Sequence, residues 1–378
     1  MPAAVRPGVR ARRASRRHPW SALRATVYRV VPVTERVRDV NEDELLRRIF
    51  PLLPVGGSTQ VGPGDDAAIV AASDGRFLVS SDVLVEDRHF RMRWSSGADV
   101  GHRAAVQNFA DIAAMGGRPT ALVISLVMPG DTPVDWVEDL ARGLAEACKP
   151  LRAGVVGGDL ASGESIVVNV TVHGTLDWRE PVLRAGARPG DVVAHAGARG
   201  WSAAGLALLD SDLIRPTHQH PLVKAYLRPD PPLEAGRRAA RAGATAMLDV
   251  SDGLLRDAGR IAVASDVRLD LDEAAFDDDR RALSDAALVV AQAALRAGGA
   301  GDLVGDIGQA EAANRLMNQW IWSGGEDHGL LATFPEDTTV PEGWTPIGRV
   351  HPPGKAAPRV TIGGRRPVVS AGWDHFES

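Results

Sequence analysis

Short apolar runs alternate with segments of helical periodicity along most of this chain. The segment 41–50 begins with Asn41 and three acidic residues, which is typical of a helix start, and its apolar residues then recur at helical spacing. Further helices are predicted over 99–115, 132–149, 202–210, 233–242, 254–264 and parts of 273–320. Short strands are predicted over 67–72, 77–82, 123–128, 166–172, 191–195 and 247–250. This alternation predicts an α/β or α+β fold.

The length and the composition predict more than one domain. A chain of 378 residues is long for a single hydrophobic core. Near 181–190 the composition shifts to Arg, Gly and Pro, which favours a boundary there. We therefore expect domains over 39–183 and 184–378, preceded by a basic, disordered tail over 1–38.

Charge and cysteine content exclude several classes of protein. The net charge of -5 gives no general reason to expect a nucleic-acid partner. Cys148 is the single cysteine, which excludes an internal disulfide or a multi-cysteine zinc site and is typical of a reducing compartment. No apolar run approaches the roughly 18 residues of a membrane helix. The sequence thus predicts a cytoplasmic protein without a membrane partner.

Acidic residues recur at turns and beside predicted strands and helices. Asp65 and Asp66 lie together on a Gly-Pro-Gly turn, where they cannot be hidden inside a helix. Later acids of this kind are Asp82, Asp111, Asp159, Asp249, Asp252, Glu326 and Asp327. Two such charges about 4 Å apart repel by roughly 4 kcal/mol at an effective dielectric of about 20. If the acids converge, they predict a site for a hard cation such as magnesium, and hence a protein that handles phosphates.

Two positions strengthen this hypothesis. Asp111 shares the apolar face of the helix predicted over 99–115, and a buried carboxylate is rare unless it is paired or binds a metal. The segment 249–253 places two carboxylates and the hydroxyl of Ser251 immediately before a helix, whose N-terminus favours an anion. No P-loop or protein-kinase motif is present, so any ATP is expected to be held through metal ions, backbone amides and arginines.

Taken in order, the motifs of the chain resemble one family. They are Gly64-Asp65-Asp66-Ala67-Ala68, Ser80-Ser81-Asp82 with His89-Phe90, Asn108 to Gly116, Gly157-Gly158-Asp159, Arg184 to Asp191, Ser202 to Leu206, Leu227-Arg228-Pro229, Asp249 to Leu254, Ser323 to Asp327 and Gly372 to Phe376. This set is similar to that of the thiamine-monophosphate kinases, which belong to the aminoimidazole ribonucleotide synthetase-like superfamily. The resemblance implies a two-domain α/β fold with the active site in the interdomain cleft, and a homodimer.

The resemblance also implies an activity and a set of site residues. The expected reaction is direct, in-line transfer of the ATP γ-phosphoryl group to thiamine monophosphate, without a general base because the acceptor phosphate is already a nucleophile. The residues expected around magnesium are Asp66, Ser80, Ser81, Asp82, Asp111, Asp159, Asp249 and Asp252. Gly158, Asp159, Arg184 and Ser251 are expected to contact ATP. The residues expected to contact thiamine monophosphate are His89, Glu326 and Trp373, the last by stacking.

Departures from the family pattern leave alternatives open. Trp201 stands where the family usually has Asp, His328-Gly329 where it has Tyr-Glu, and Ser81 where it has Thr. One alternative is a catalytically silent paralogue that binds Mg-ATP. Another is a different ATP-dependent enzyme of the same superfamily.

Overall fold

Two β-sheets, one in each half of the sequence, organise the fold. The computed structural model describes residues 35–63, 67–296, 308–354, 358–369 and 372. The helices of this part are α1 (Glu42–Ile49), α2 (Gly97–Ala114), α3 (Val134–Cys148), α4 (Trp201–Asp210), α5 (Pro221–Leu227), α6 (Leu233–Arg241), α7 (Leu254–Ala264), α8 (Asp277–Arg296) and α9 (Gln309–Ser323). Its strands are β1 (Thr59–Val61), β2 (Ile69–Val70), β3 (Leu78–Val85), β4 (Arg118–Met128), β5 (Gly154–Ser162), β6 (Val167–Thr175), β7 (Val192–Ala196), β8 (Ala246–Val250), β9 (Arg268–Leu271), β10 (Gly329–Phe334), β11 (Thr345–His351) and β12 (Val360–Ile362).

The first sheet has four strands in the order β3-β6-β4-β5. Its strands are antiparallel except for the parallel pair β4 and β5. Side chains alternate between its two faces. One face carries buried residues such as Leu122 and Val170, which pack with α2 and α3 into one hydrophobic core, while Val79 and Val83 are exposed on the other face.

The second sheet has six strands in the order β12-β9-β11-β7-β10-β8, antiparallel except for β12 and β9. Every residue of β8 and β10 is buried. Continuous burial of this kind is typical of strands covered on both faces. The part of the second sheet formed by β8 and β10 is therefore an interior layer, unlike the first sheet.

Helix α2 connects the two sheets. It packs against α3 and against β3, β4 and β6 of the first sheet, and it also contacts α6, β8 and β10. Fifteen of its eighteen residues are buried, including Arg103 and Asn108. Polar side chains on this helix consequently face the boundary between the sheets.

Most predicted elements are confirmed, and the fold is mixed α/β. Two expectations about strand ends are wrong. Strand β3 continues to Val85, so Asp82 lies inside it, and Gly157-Gly158-Asp159 lies inside β5 because β5 remains paired with β4 to Ser162. Helix α5 and strands β1 and β9 to β12 were not predicted. None of the described helices is long and apolar enough to cross a membrane.

Candidate active site

Strand β3 directs Ser80 and Asp82 toward α2. The two residues alternate with Ser81 and so share the face of the sheet that α2 covers. The Ser80 hydroxyl donates a hydrogen bond of 2.6 Å to Oδ2 of Asp111 on α2. Ser81 lies on the opposite face, where its hydroxyl contacts the Asn169 and Thr171 side chains at 3.0 and 3.1 Å. The structure thus brings Ser80, Asp82 and Asp111 together and separates Ser81 from them.

Five carboxylates form an acid cluster at this place: Asp82, Asp111, Asp249, Asp252 and Glu326. Burial raises the pKa of Asp111 to about 7, and the charges of Asp249 and Asp82 raise it as well. Burial also raises the pKa of Asp82, and Asp249, Glu326 and Asp252 add to the rise against the opposing charge of His328. Five of the acids that were expected to converge therefore do so, whereas Asp159 and Asp327 lie elsewhere, and Asp65 and Asp66 lie outside the described residues.

The turn between β8 and α7 supplies two of these acids. Asp249 is buried near the end of β8, and Asp252 follows it in the turn. The turn is completed by Gly253, which has a φ of 110° and leaves no room for a side chain because a Cβ there would lie 2.6 Å from the Ser323 carbonyl oxygen. Beneath the turn lies Asp257, a fully buried carboxylate of α7 whose pKa is raised to about 7 by burial and by Asp249.

The segment 325–329 supplies the fifth acid. Glu326 accepts a hydrogen bond of 2.5 Å from the guanidinium of Arg103, a buried residue of α2. Burial alone would raise the pKa of Glu326, but Arg103 and His328 together outweigh it and hold the pKa well below its usual range. An ion pair between residues so far apart in sequence was not predictable from the local pattern.

Asp327, the neighbour of Glu326, faces away from the cluster. Its carboxylate accepts hydrogen bonds from the backbone N–H groups of Gly200 and Ser202 at 2.6 and 2.7 Å. These N–H groups lie at the N-terminus of α4, where the helix has no intrahelical acceptor for them. Burial raises the pKa of Asp327 to about 6, although the two hydrogen bonds oppose the rise. Asp327 is therefore the cap of α4.

His328 introduces a positive charge among the acids. Its two ring nitrogens lie 3.9 Å from Asp249 Oδ2 and 3.6 Å from Glu326 Oε2, which makes these contacts ion pairs without hydrogen bonds. Burial lowers the pKa of His328, but the two carboxylates outweigh burial and raise it to about 10. The departure from the family pattern at this position therefore places a cation inside the acid cluster.

A cavity of about 610 Å³ opens beside the acid cluster. Its lining includes Arg88, His89, Arg91, Arg103, Tyr226, Ser251, Trp320, Glu326 and Gly372. His89 is oriented by the Val85 N–H, which donates a 2.9 Å hydrogen bond to its Nδ1. Two of the expected substrate residues, His89 and Glu326, thus line one cavity, together with Ser251. The third, Trp373, lies outside the described residues.

The residues expected to contact ATP are distributed over two regions. Asp159 pairs with Ser125 in the register of β5 and β4, on the open face of the first sheet, and so lies across the sheet from Asp82. At Gly158 a Cβ would lie 2.2 Å from the Ile124 carbonyl oxygen, so only glycine fits beside β4. Gly158 and Asp159 border an apolar cavity of about 120 Å³ between α1, α3 and the sheet. Arg184 is exposed, and its carbonyl oxygen accepts a hydrogen bond of 3.0 Å from Ser265.

The donor set of the acid cluster suits a hard cation. Within the described ranges, no group of three or more His, Cys, Asp or Glu side chains is arranged to hold a metal ion directly, and the expected ligand Asp66 lies outside those ranges. Burial and the neighbouring carboxylates nevertheless raise the pKa values of Asp82 and Asp111 although the charge of His328 opposes the rise, so a further cation beside them would favour their charged forms. Carboxylate and hydroxyl oxygens are the ligands that magnesium prefers. The residues present therefore fit this ion chemically.

Several site residues were missed at the sequence level. Arg88, Arg91 and Arg103 line the large cavity, and Asp257 lies beneath Asp252. Arg103 could have been found from its place on the apolar face of α2, because a buried arginine needs an acid or a carbonyl oxygen as its partner. Asp257 lies on α7 one position before a buried alanine and carried no comparable signal.

Comparisons with known proteins are consistent with this geometry. The family model described as AIR synthase related protein, N-terminal domain, matches residues 64–176. The thiamine-monophosphate kinase of Mycobacterium tuberculosis (strain H37Rv) is 45% identical over 316 residues, which are 84% of this chain and 86% of the relative. That of Corynebacterium glutamicum is 40% identical over 346 residues, or 90% of this chain and 95% of the relative. A solved structure of AaThiL complexed with AMPPCP and TMP is 29% identical, with a TM-score of 0.64, and covers 91% of this chain and 99% of that one. The chain belongs to the thiamine-monophosphate kinase family.

Proposed function

We propose that this protein transfers the γ-phosphoryl group of ATP to thiamine monophosphate, forming thiamine diphosphate and ADP. The observation that carries the proposal is the acid cluster, which adjoins a cavity of about 610 Å³ lined by three arginines. Acids of this kind suit the metal ions of phosphoryl transfer, and the arginines suit a phosphate-bearing substrate. The relation to thiamine-monophosphate kinases, and to a solved structure complexed with AMPPCP and TMP, supports the assignment.

Thiamine monophosphate would occupy the large cavity. Its thiazolium ring carries a positive charge, which suits Glu326 and the aromatic rings of Tyr226 and Trp320 in the lining. His89 would contact the substrate from the loop after β3. Trp373, which follows Gly372 of the lining, would stack on a thiamine ring.

ATP would lie along the residues assigned to it by resemblance: Gly158, Asp159, Arg184 and Ser251. The apolar cavity beside Gly158 suits an adenine ring, because it is lined by side chains such as Leu140 and Leu144. Ser251 is common to the turn after β8 and to the large cavity. It therefore suits a position between the two substrates.

Magnesium would be held by Ser80, Asp82, Asp111, Asp249 and Asp252 at the acid cluster, and by Asp66 as the resemblance implies. The resemblance also implies Ser81 and Asp159, but these two lie on the opposite face of the first sheet and are not part of the site proposed at the cluster. When bound, magnesium would supply positive charge that neutralises the transferring group. The chain's own contribution is to hold the carboxylates at a fixed place between the sheets, and Ser80 and Arg103 orient Asp111 and Glu326 there. No general base is needed, so alignment of the two phosphates is the main task of the protein.

We also propose the domain division, the assembly and the location that the sequence predicts. The domains would be 39–183 and 184–378, with the active site in the cleft between them. A homodimer would form through the first domain. The exposed apolar side chains Val79, Val83 and Val123 on the open face of the first sheet support this, since such a face is suited to burial. The protein would act in the cytoplasm.

A coupled assay of ADP release tests the proposed function. With Mg-ATP, we expect release with thiamine monophosphate and none with thiamine or with aminoimidazole precursors. Chelation of magnesium should abolish it. Mg-ATP binding without any release would favour the silent paralogue, and release with an aminoimidazole precursor alone would favour another enzyme of the superfamily.

A further inference from the structure

Asp257 is a fully buried carboxylate that the proposed reaction leaves without a role. It lies in the first turns of α7, five residues after Asp252, and its side chain has no exposure to solvent. A buried carboxylate is retained only when its partners repay the loss of hydration. The partners of Asp257 therefore indicate its role.

Both oxygens of Asp257 have partners that also determine the position of Asp252. Oδ2 accepts a hydrogen bond of 3.0 Å from the backbone N–H of Asp252. Oδ1 accepts one from Nη1 of Arg260, and Nη2 of the same guanidinium donates to Asp252 Oδ2 at 2.5 Å. Asp257, Arg260 and Asp252 thus form a closed ring of contacts, which we term the Asp252 clamp.

The clamp acts on both the backbone and the side chain of Asp252. The hydrogen bond from the Asp252 N–H to Asp257 fixes the backbone of the turn between β8 and α7. The hydrogen bond from Arg260 selects one orientation of the Asp252 carboxylate. Because the planar guanidinium presents two N–H groups in fixed geometry, it can bridge the two carboxylates at once. Arg260 engages Oδ2 of Asp252, and Arg256 Nε lies 3.9 Å from the same oxygen, so both arginines approach one side of the carboxylate.

We infer that Asp257 and Arg260 are positioning residues that hold the Asp252 carboxylate in the orientation required to bind magnesium with the nucleotide. The inference rests on the proposed function, because it assigns Asp252 to the metal. Pre-oriented ligands bind a metal more tightly because the groups that support them remove the cost of ordering, and losing such support typically weakens metal affinity about 10- to 100-fold.

The test is the magnesium dependence of AMPPCP binding by the full chain, measured by calorimetry over a series of magnesium concentrations. We expect Asp257→Asn and Arg260→Gln each to raise the half-saturating magnesium concentration about 10-fold or more. Glutamine at position 260 keeps an N–H donor for the buried Asp257, and Arg260 is about a third exposed, so the Arg260→Gln variant decides the matter if Asp257→Asn fails to fold.

A matched control is Asp279→Asn. Asp279 is another buried acid paired with an arginine, since Arg199 Nε donates to it at 2.8 Å, but its arginine does not contact Asp252. This variant should lower the thermal midpoint without changing the magnesium dependence. Unchanged magnesium dependence in the clamp variants, or an equal change in Asp279→Asn, would overturn the inference. Magnesium-dependent AMPPCP binding by the wild type without turnover of thiamine monophosphate would instead count against the proposed function alone.

Discussion

The two ends of α2 carry acids of opposite character. Asp99 lies near its N-terminus and Asp111 near its C-terminus, about 18 Å apart at a rise of about 1.5 Å per residue. Asp99 accepts hydrogen bonds from Ser96 at 2.7 Å and from Arg228 at 2.6 Å, and His218 lies 2.8 Å from it. Asp111 receives one hydroxyl, that of Ser80, and is surrounded mainly by carboxylates, whose effect the charge of His328 opposes only in part.

The pKa values of the two acids express this difference. Burial raises the pKa of Asp99, but the hydrogen bonds from Ser96 and Arg228 outweigh it, and the net change is downward. For Asp111, burial and the neighbouring charges act in the same direction and raise the pKa to about 7. Both acids are buried on the same helix, so the opposite directions of their pKa changes come from their different partners. One end of α2 stabilises the fold, whereas the other concentrates negative charge at the candidate active site.

The largest expected effect is on activity, from Asp111→Asn. The amide keeps the shape of the side chain but removes a charged oxygen ligand, so we expect turnover of thiamine monophosphate to fall at least about 1,000-fold. Because the substitution also removes repulsion from Asp82 and Asp249, the magnesium-free protein should melt at the same temperature as the wild type or higher. Steady-state kinetics and thermal melting in a chelator check both parts. Normal turnover, or a clear loss of stability, would contradict the assignment of Asp111 to the metal.

The opposite result is expected from Arg228→Ala at the other end of α2. Arg228 donates to Asp99 and, at 2.9 Å, to Glu146 of α3. Its removal leaves Asp99 buried without its strongest partner, which typically destabilises a protein by about 3 kcal/mol. Urea unfolding measures this loss. The kcat of the remaining folded protein should change less than about threefold, which is far smaller than the loss expected for Asp111→Asn. A loss of kcat without a loss of stability would contradict the view that Asp99 serves the fold and Asp111 the active site.

The comparison also shows what the sequence can predict. The period of α2 and the alternation along β3 were sufficient to place Asp111 on a buried face and Ser80 beside Asp82, because both patterns are local. Arg103 meets Glu326 across 223 positions of sequence, and Asp327 caps a helix that begins at Trp201. Such pairings depend on how the sheets pack, and no local spacing encodes them. The resemblance placed Ser81 with Ser80 in the metal set, although the alternation along β3 turns Ser81 to the other face.

Asp327 is a third buried acid to set beside Asp99 and Asp111. It is as buried as an acid of the cluster, but its partners are backbone N–H groups. Asp327→Asn keeps one acceptor and brings an NH₂ group against the other N–H, so we expect a loss of about 1–2 kcal/mol. The wild-type carboxyl, with its pKa raised from 3.8 to about 6, binds more protons when folded, so its contribution to stability falls as the pH rises through that window. The variant does not titrate there, and the cost of the substitution should be larger near pH 4 than near pH 7. Urea unfolding at both pH values checks this; a cost that grows with pH would contradict it.

The smallest effect is expected from His218→Gln. His218 is about half exposed, and Arg228 already contacts the same Asp99 oxygen, so the substitution alone should cost less than about 0.5 kcal/mol. In the Arg228→Ala background, however, His218 is the remaining basic side chain beside Asp99, and the same substitution should cost more. A double-mutant cycle by urea unfolding measures this coupling. Strict additivity of the two substitutions would mean that Asp99 is held by Ser96 and the helix N-terminus alone, and that its basic partners contribute little to the difference between the two ends of α2.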